Sequence, residues 1–558
     1  MLPKSESLFV EFKSDQNGQK NGLPDIDLIE TVVGFSNTSG GQIYLGVEDD
    51  GTPTGIHKNH RDFEKILPLV ANKTVPPISV TVELLTENLV DIVCIDVPKS
   101  NAIISTSSGK VLRRVIKVDG TPETVPMYPF QYSTRLSDLG RYDLTAEPVN
   151  SASLYDLDPF EFQRMRKIIK TFRGEDRLLD LSDEELAQAL RLTVTSDDRL
   201  VPTVAGLLIL GREDRIIEHL PTAKASFQVL EGSNVRLNEW FGKPLLALFE
   251  LFESYLKPWN PEKEMDYGLI RFPIPEFDHR AFREALINAF AHRDYSVLRN
   301  IRLLIDDDGL SITSPGGFIE GVTQDNLLTV APHGRNPALS DALKRIGLAE
   351  RTGRGIDRIF EGSIVYGRPL PDYSESTSSY VQVFIPRAEP DLPFVIMLAD
   401  VRNRDGKELP ISSLMILSTL RTERRCDIHR LSERSMLSES KCKAAVERLV
   451  ESGLVEGHGN NRGRTYMLSS KVYHGSQKSI DYVRQSGIDS VKHPELVLQL
   501  AKQQGEISRD DVCKLLGVTG PQAYRILRDL SDQNKLTLQG LGRNAKYVYS
   551  TERSHINN

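Results

Sequence analysis

A glutamate and an asparagine one helical turn apart give the chain its clearest chemistry. Glu284 and Asn288 lie in the stretch REALINAFAHRDY, residues 283–295. At i and i+4 on a helix, both side chains enter the same space. A carboxylate there can orient and deprotonate a water, and an amide oxygen can hold a hard cation such as Mg²⁺. Two glycine turns follow. Ser314-Pro315-Gly316-Gly317 comes after strands expected at 301–305 and 310–313, and Gly353-Arg354-Gly355 opens a helix that contains Ile356 and Ile359. Glycines let backbone N–H groups approach phosphates, and a helix N-terminus favours their negative charge. His292 and Arg293 either face such phosphates or pin the end of the helix.

A second set of acids stands near the N-terminus. Glu6, Glu11 and Asp49 flank or end strands expected at 7–13 and 42–47, and Glu48 or Asp50 is an alternative to Asp49. Convergent carboxylates can hold Mg²⁺ or Mn²⁺ and activate a water against a phosphodiester, whereas dispersed ones are simply solvated. Lys13 reads equally as a backbone-phosphate contact and as a solvated strand residue.

Periodicity outlines the elements that must position these groups. Leu8, Val10 and Phe12 alternate with Phe9, Glu11 and Lys13 as in a half-buried strand. Ile26, Ile29 and Val33 recur at helical spacing, with a stop near Asn37. Further strands are expected at 78–85 and 90–97. Residues 131–147 read as a connector, and 159–173, 182–190 and 243–256 as helices. The apolar run 203–210 reads as a buried strand. Residues 390–393 look like a linker, after which 409–468 and 493–549 repeat one plan of three short helices and a hairpin. In the second copy Ser508 caps a helix, with Asp511 as its capping-box partner. The expected fold is α/β (α+β) and multidomain, divided at 1–130, 131–271, 272–388, 405–472 and 490–552.

Composition narrows the classes. A chain of 558 residues exceeds one ordinary core. Its 39% hydrophobic and 26% charged residues fit a soluble, globular protein. A net charge of -8 gives no overall basic field, so any nucleic-acid binding must rest on local patches. No apolar run approaches the ~20 residues that cross a bilayer, and MLPKSESLFVEFK lacks a signal pattern. Cys94, Cys426, Cys442 and Cys513 are too scattered for a zinc site or a disulfide framework. A reducing cytoplasm is the expected location. His292-Arg293-Asp294 imitates a kinase catalytic loop, but Arg299 stands where that loop needs asparagine. Gly353-Arg354-Gly355 lacks the third glycine of a dinucleotide fingerprint, and no P-loop signature occurs, so no P-loop helicase motor is expected.

Taken in order, NAFAHRDY at 288–295, SPGGFIEGVT at 314–323, RNP at 335–337 and ERTGRGIDRI at 350–359 resemble the GHKL, or Bergerat-fold, ATP-binding family. The branch they resemble is the one found in the C-terminal part of RecG-like and Schlafen-associated bacterial proteins. That resemblance implies ATP and Mg²⁺ as ligands, with Glu284 as general base and Asn288 on the metal. Family members usually carry an aspartate in the first glycine box to read the adenine amino group. Ser314 stands near that place, a weaker and less selective acceptor.

ESLFVEFK and SNTSGGQIYLGVEDDGTPTG resemble the Schlafen AlbA_2 domain over residues 6–125. Schlafen nucleases cut structured RNA with two glutamates and an aspartate, which would fall on Glu6, Glu11 and Asp49. The two C-terminal repeats resemble winged helix-turn-helix domains, whose third helix enters the major groove while the wing touches the backbone. Candidate groove residues are Ser440, Lys441, Lys443, Gln522 and Arg525. Candidate wing residues are Arg462, Arg464, Arg543 and Lys546.

Three readings follow. The first is a DNA-binding regulator controlled by ATP. The second is a metal-dependent nuclease acting on RNA or single-stranded DNA, gated by ATP, in defence against phage. The third is an ATPase whose other domains bind only protein partners. A homodimer or higher homo-oligomer is expected, and no membrane association.

Overall fold

Two strands joined by an amphipathic helix begin the chain. Strand β1 (Val10–Lys13) runs parallel to β2 (Gly41–Leu45), and α1 (Asp25–Ser36) makes the crossover. Strands β3 (Thr81–Glu87) and β4 (Val90–Val97) complete a sheet of order β1-β2-β4-β3. Ile43, Leu45, Val93 and Ile95 face Leu28, Ile29, Val32 and Val33 of the helix in one core. Phe12, Tyr44, Ile92 and Cys94 form a smaller cluster on the other side of the sheet. The computed structural model describes residues 2–16, 22–117, 120–267, 270–319, 321–330, 334–350, 353–459, 464–469, 493–516, 520–539 and 546–549.

The expected connector begins with a helix, α2 (Pro129–Asp138). Beyond it α3 (Pro159–Thr171) and α4 (Val204–Leu210) pack together. Residues 203–210 are therefore not the strand expected of them. Every residue of α4 is buried, so no polar face marks a period, and length and composition alone favour neither form. The deciding cue is Thr203, whose hydroxyl accepts the Gly206 N–H at 3.1 Å and caps the helix.

A five-stranded sheet forms the centre. It is built from β5 (Ala225–Glu231), β6 (Asn234–Phe241), β7 (Ile301–Ile305), β8 (Gly309–Pro315) and β9 (Tyr380–Pro386), in the order β6-β5-β7-β8-β9. Only β5 and β7 are parallel. The sheet thus draws strands from both sides of residue 272. Helices α5 (Leu245–Leu256), α6 (His279–Ala291), α7 (Pro337–Arg345) and α8 (Gly355–Ile364) complete this unit.

The expected linker at 390–393 starts a helix instead. The Asp391 side chain accepts the Phe394 N–H, and Pro393 sits in the first turn, where its missing N–H costs nothing. The result is α9 (Leu392–Asp405), with Phe394, Met397 and Val401 buried. Three helices follow, α10 (Ile411–Glu423), α11 (Ile428–Ser435) and α12 (Glu439–Glu451), then the hairpin β10 (Val455–His458) and β11 (Thr465–Leu468). The second copy has α13 (His493–Gln504), α14 (Arg509–Leu516), α15 (Gly520–Asp532), β12 (Leu536–Gln539) and β13 (Lys546–Tyr549). The Ser508–Asp511 box caps α14 as expected, with Ser508 N–H to Asp511 Oδ2 at 2.9 Å.

One hydrophobic core runs without a break from Ala152 through the central sheet to Leu468. The first three-helix unit is therefore built onto the centre, while the second has its own core. Among the described residues no helix is long and apolar enough to cross a membrane.

Candidate functional site

A cavity of about 780 Å³ opens between α6 and the two glycine turns. Glu284, Asn288 and His292, at i, i+4 and i+8, line one wall. The four-residue spacing keeps Glu284 and Asn288 on one face of α6, with His292 at its C-terminal cap and Ala285 and Ala289 beside them. Gly316 and Gly317 line it from the first turn, Gly353 and Gly355 from the second. Ile312, Ile359, Tyr373, Val381 and Val383 give an apolar floor.

Glu284 is only 4% exposed. Burial pushes its carboxyl up to about 6; Arg283 and Arg358 pull it down, and Glu350 pushes it further up. Its nearest described cation is Arg283, at 3.9 Å. The Asn288 amide makes no side-chain hydrogen bond among the described residues. An acid poised near neutrality and an amide with no hydrogen-bond partner among the described residues thus share one wall.

Helix α8 lies close on α6 because two glycines face it. A β-carbon at Gly355 would stand 3.0 Å from Glu284 Oε2 and 3.6 Å from Asn288 Nδ2. One at Gly362 would stand 2.5 Å from the Ala281 β-carbon. Arg354 is exposed at the start of this helix and does not line the cavity.

Ser314 is buried, and its hydroxyl donates to the Ala289 carbonyl at 2.6 Å. With that proton committed, the oxygen can only accept from a ligand. Arg293 is turned away from the cavity. The residue is only 1% exposed; its guanidinium donates to the Val297 and Arg299 carbonyls and stacks over Tyr295 at 4.9 Å. Of the two openings for His292 and Arg293, the arginine takes the pinning role and the histidine stays at the cavity wall.

The RNP triplet locks this geometry. Arg335 donates to the His292 carbonyl at 3.0 Å, to the Gly317 carbonyl at 3.1 Å and to Asp138 at 2.6 Å. Asn336 donates to the Ala291 and Arg293 carbonyls, which the end of α6 leaves without helical partners. Gly316 has φ +93°, and a β-carbon there would run into the Arg335 guanidinium.

The N-terminal acids are not drawn into a metal-holding group. Among the described residues no three His, Cys, Asp or Glu side chains are so placed. Glu11 is already committed, to Lys13 and to the buried Arg114, whose Nη2 lies 2.5 Å from Glu11 Oε2. Lys13 is thereby engaged as an ion-pair partner. Glu6 instead accepts the Phe12 N–H at 2.9 Å. Burial raises its pKa, and the charges of Glu11 and Asp49 add to that. Asp49 is exposed.

Comparison with known families finds matches in four stretches of the chain. Residues 6–120 match the family described as Schlafen, AlbA_2, and 410–456 match winged helix-turn-helix DNA-binding. Residues 299–385 match ATP-dependent DNA helicase RecG C-terminal, and 135–226 match a domain of unknown function. The chain carries a Schlafen AlbA_2 domain, an ATPase-like RecG C-terminal domain and a winged helix-turn-helix. The DIP2311 protein from Corynebacterium diphtheriae, known from a crystal structure, has the same fold at a TM-score of 0.50. It is 21% identical, over 83% of this chain and 92% of that one. No curated protein matches the chain.

In the winged helix-turn-helix, Ser440, Lys441 and Lys443 are exposed on the first two turns of α12. Lys443 lies 3.5 Å from Glu439. Arg464 folds back over the Tyr466 ring at 5.2 Å. In the second unit Arg525 is exposed on α15, and Lys546 pairs with Glu506 at 2.9 Å. Arg462 and Arg543 lie outside the described residues, as does the side chain of Gln522.

Sequence reasoning missed part of the ATPase-like cavity. Asp138, Gly140, Asp143 and Arg191, all before residue 272, line it too. Asp143 caps α7 by accepting the Ala338 N–H at 2.6 Å. No local signal marks these residues, because tertiary packing alone brings them to the cavity.

Proposed function

We propose that the ATPase-like cavity binds ATP and that the bound nucleotide controls DNA binding by the winged helices. One observation carries the reading: Glu284 and Asn288 share a wall with two glycine turns, the acid buried and tuned to about 6. The purine would lie over the apolar floor. Ser314, reduced to an acceptor by its bond to Ala289, suits an exocyclic amino group and not a ring carbonyl. The phosphates would run toward Gly353 and Gly355, at the N-terminus of α8. Asn288 fits a hard cation, because its amide oxygen has no hydrogen-bond donor among the described residues; Mg²⁺ bound there would offset phosphate charge. Glu284, ionised above pH 6, would take the proton of an attacking water.

Control of DNA binding is supported by packing. Helix α8 lies against α10, the first helix of the winged unit, inside one continuous core. Duplex-DNA binding measured by fluorescence anisotropy at low salt, with and without ATP, tests the reading. ATP should change the DNA affinity several-fold. A chain that binds no duplex DNA in either condition defeats it.

A nuclease reading keeps one observation in its favour, the raised proton affinity of Glu6 beside Glu11 and Asp49. Mn²⁺-dependent cleavage of RNA or single-stranded DNA that disappears in Asp49→Asn would support it. A chain that cuts neither sets it aside.

A further inference from the structure

A nucleotide triphosphate is a concentrated anion, and a protein that holds it supplies cations. Among the described cavity-lining residues, the lysine and arginine side chains are Lys344 and Arg191. Lys344 already has an interaction partner. Arg191 has no acidic partner among the described residues and is exposed at the cavity. It lies in the stretch that matches a domain of unknown function, well before the ATPase-like motifs in the chain.

The backbone holds Arg191 in a fixed, unusual pose. Its φ is 56°, in the left-handed region that side-chain-bearing residues rarely adopt. Arg191 follows the C-cap of the helix Asp183–Ala189, a place where helices commonly end in this conformation. Here the N–H donates to the Gln188 carbonyl at 2.9 Å, and the carbonyl accepts from the Thr203 hydroxyl at 3.1 Å.

The platform beneath Arg191 is clamped to the ATPase-like domain. Arg345, next to Lys344 on α7, donates to the Ala189 carbonyl and pairs with Glu175 at 3.1 Å. The Glu175 N–H donates to the Arg345 carbonyl at 2.9 Å. A β-carbon at Gly174 would stand 2.8 Å from the Ile346 carbonyl oxygen, so the two backbones touch. This platform thus brings a residue of the preceding domain to the cavity lining.

We propose that Arg191 binds the phosphate chain of the nucleotide, and so makes the preceding domain part of the site. The proposal rests on the reading of the cavity as an ATP site. An arginine suits the task because its planar fork offers two parallel donors to phosphate oxygens. The same contact would tie the position of the preceding domain to the presence of phosphates.

The test is equilibrium binding of ATP, ADP and adenosine to the full chain and to Arg191→Ala, Arg191→Gly and Arg191→Lys. Glycine tolerates the left-handed backbone, so Arg191→Gly guards against a folding artefact of the alanine variant. In both shortened variants the preference for ATP over adenosine should fall about tenfold or more, with adenosine affinity unchanged. Arg191→Lys should recover part of the preference. An equal loss for ATP and adenosine, or no loss for either, overturns the proposal while leaving the ATP site standing. A wild-type chain that binds none of the three overturns both.

Discussion

Gly355 and Glu284 stand so close that a single methyl group between them would press on the carboxylate: the missing β-carbon falls 3.0 Å from Glu284 Oε2. Contacts that short force a neighbour to move. The glycine thus sets how near the N-terminus of α8 comes to the acid, and how much room is left for a ligand.

Gly355→Ala separates binding from stability. Alanine is the better helix residue, so the melting temperature should hold or rise slightly. The added carbon crowds Glu284 and comes into contact with Asn288, so ATP affinity should drop about tenfold or more. Calorimetry beside a thermal melt reads the two effects separately. Parallel losses would mean that Gly355 serves only the fold.

Glu284→Gln should trade activity for stability. The folded-state pKa, about 6, lies above the ordinary value of 4.5. Between those values the folded protein holds more protons than the unfolded one, so stability falls as pH rises through that window. Above pH 7 the ionised acid costs about 2 kcal/mol, which the neutral glutamine avoids. The variant should therefore be more resistant to urea at pH 8 and no different at pH 4. Any ATP hydrolysis should vanish in it, and in the wild type should rise with pH through about 6. A variant less stable at pH 8 than at pH 4, relative to wild type, contradicts this account.

Gly362→Ala attacks the helix pair itself. Its new carbon would meet the Ala281 β-carbon at 2.5 Å, and neither is a flexible end that can swing away. A loss of about 1–3 kcal/mol in urea unfolding is expected. Unchanged stability would show that α8 can slide freely on α6.

Glu11→Ala is a poor test of nuclease chemistry, and the reason is itself testable. Removing Glu11 strips the buried Arg114 of its acid and should cost about 3 kcal/mol. Asp49 is exposed, so Asp49→Asn should leave the melting temperature unchanged. Equal melting temperatures for wild type and both variants would refute the role given to the Glu11–Arg114 pair.

Asp357 and Lys441 offer a probe of coupling. Burial raises the Asp357 carboxyl, while Arg354, Arg358 and, from the first turn of α12, Lys441 hold it down. The third helix of the first winged unit therefore feels the charge at the start of α8. ATP and duplex DNA should alter each other's affinity by one common factor. That factor should shrink in Asp357→Asn. A factor unchanged by the substitution removes this pair from the link.

Some of this was open to reading in the sequence, and the limits have physical causes. Glu284 and Asn288 were legible because i, i+4 spacing fixes their relation within one helix. The two winged units were legible because their plan repeats. The 203–210 segment was misread because a run buried on all sides carries no period, and only its threonine cap told helix from strand. Arg293 stayed ambiguous because a side chain after a helix end can turn either way, and the Val297 and Arg299 carbonyls decided it. Arg114 and Arg191 were invisible as partners of Glu11 and of the cavity, since each acts across a long stretch of chain. The apolar core that binds 390–401 to the centre likewise hid behind two prolines that look like a linker.

Titration of ATP with Mg²⁺ into the intact chain by calorimetry at pH 7.5 addresses the central claim most directly. One nucleotide per chain should bind, and Asn288→Ala should remove most of the Mg²⁺ dependence. No binding by the wild type, or binding that neither Gly355→Ala nor Asn288→Ala alters, would contradict a nucleotide held between α6 and α8.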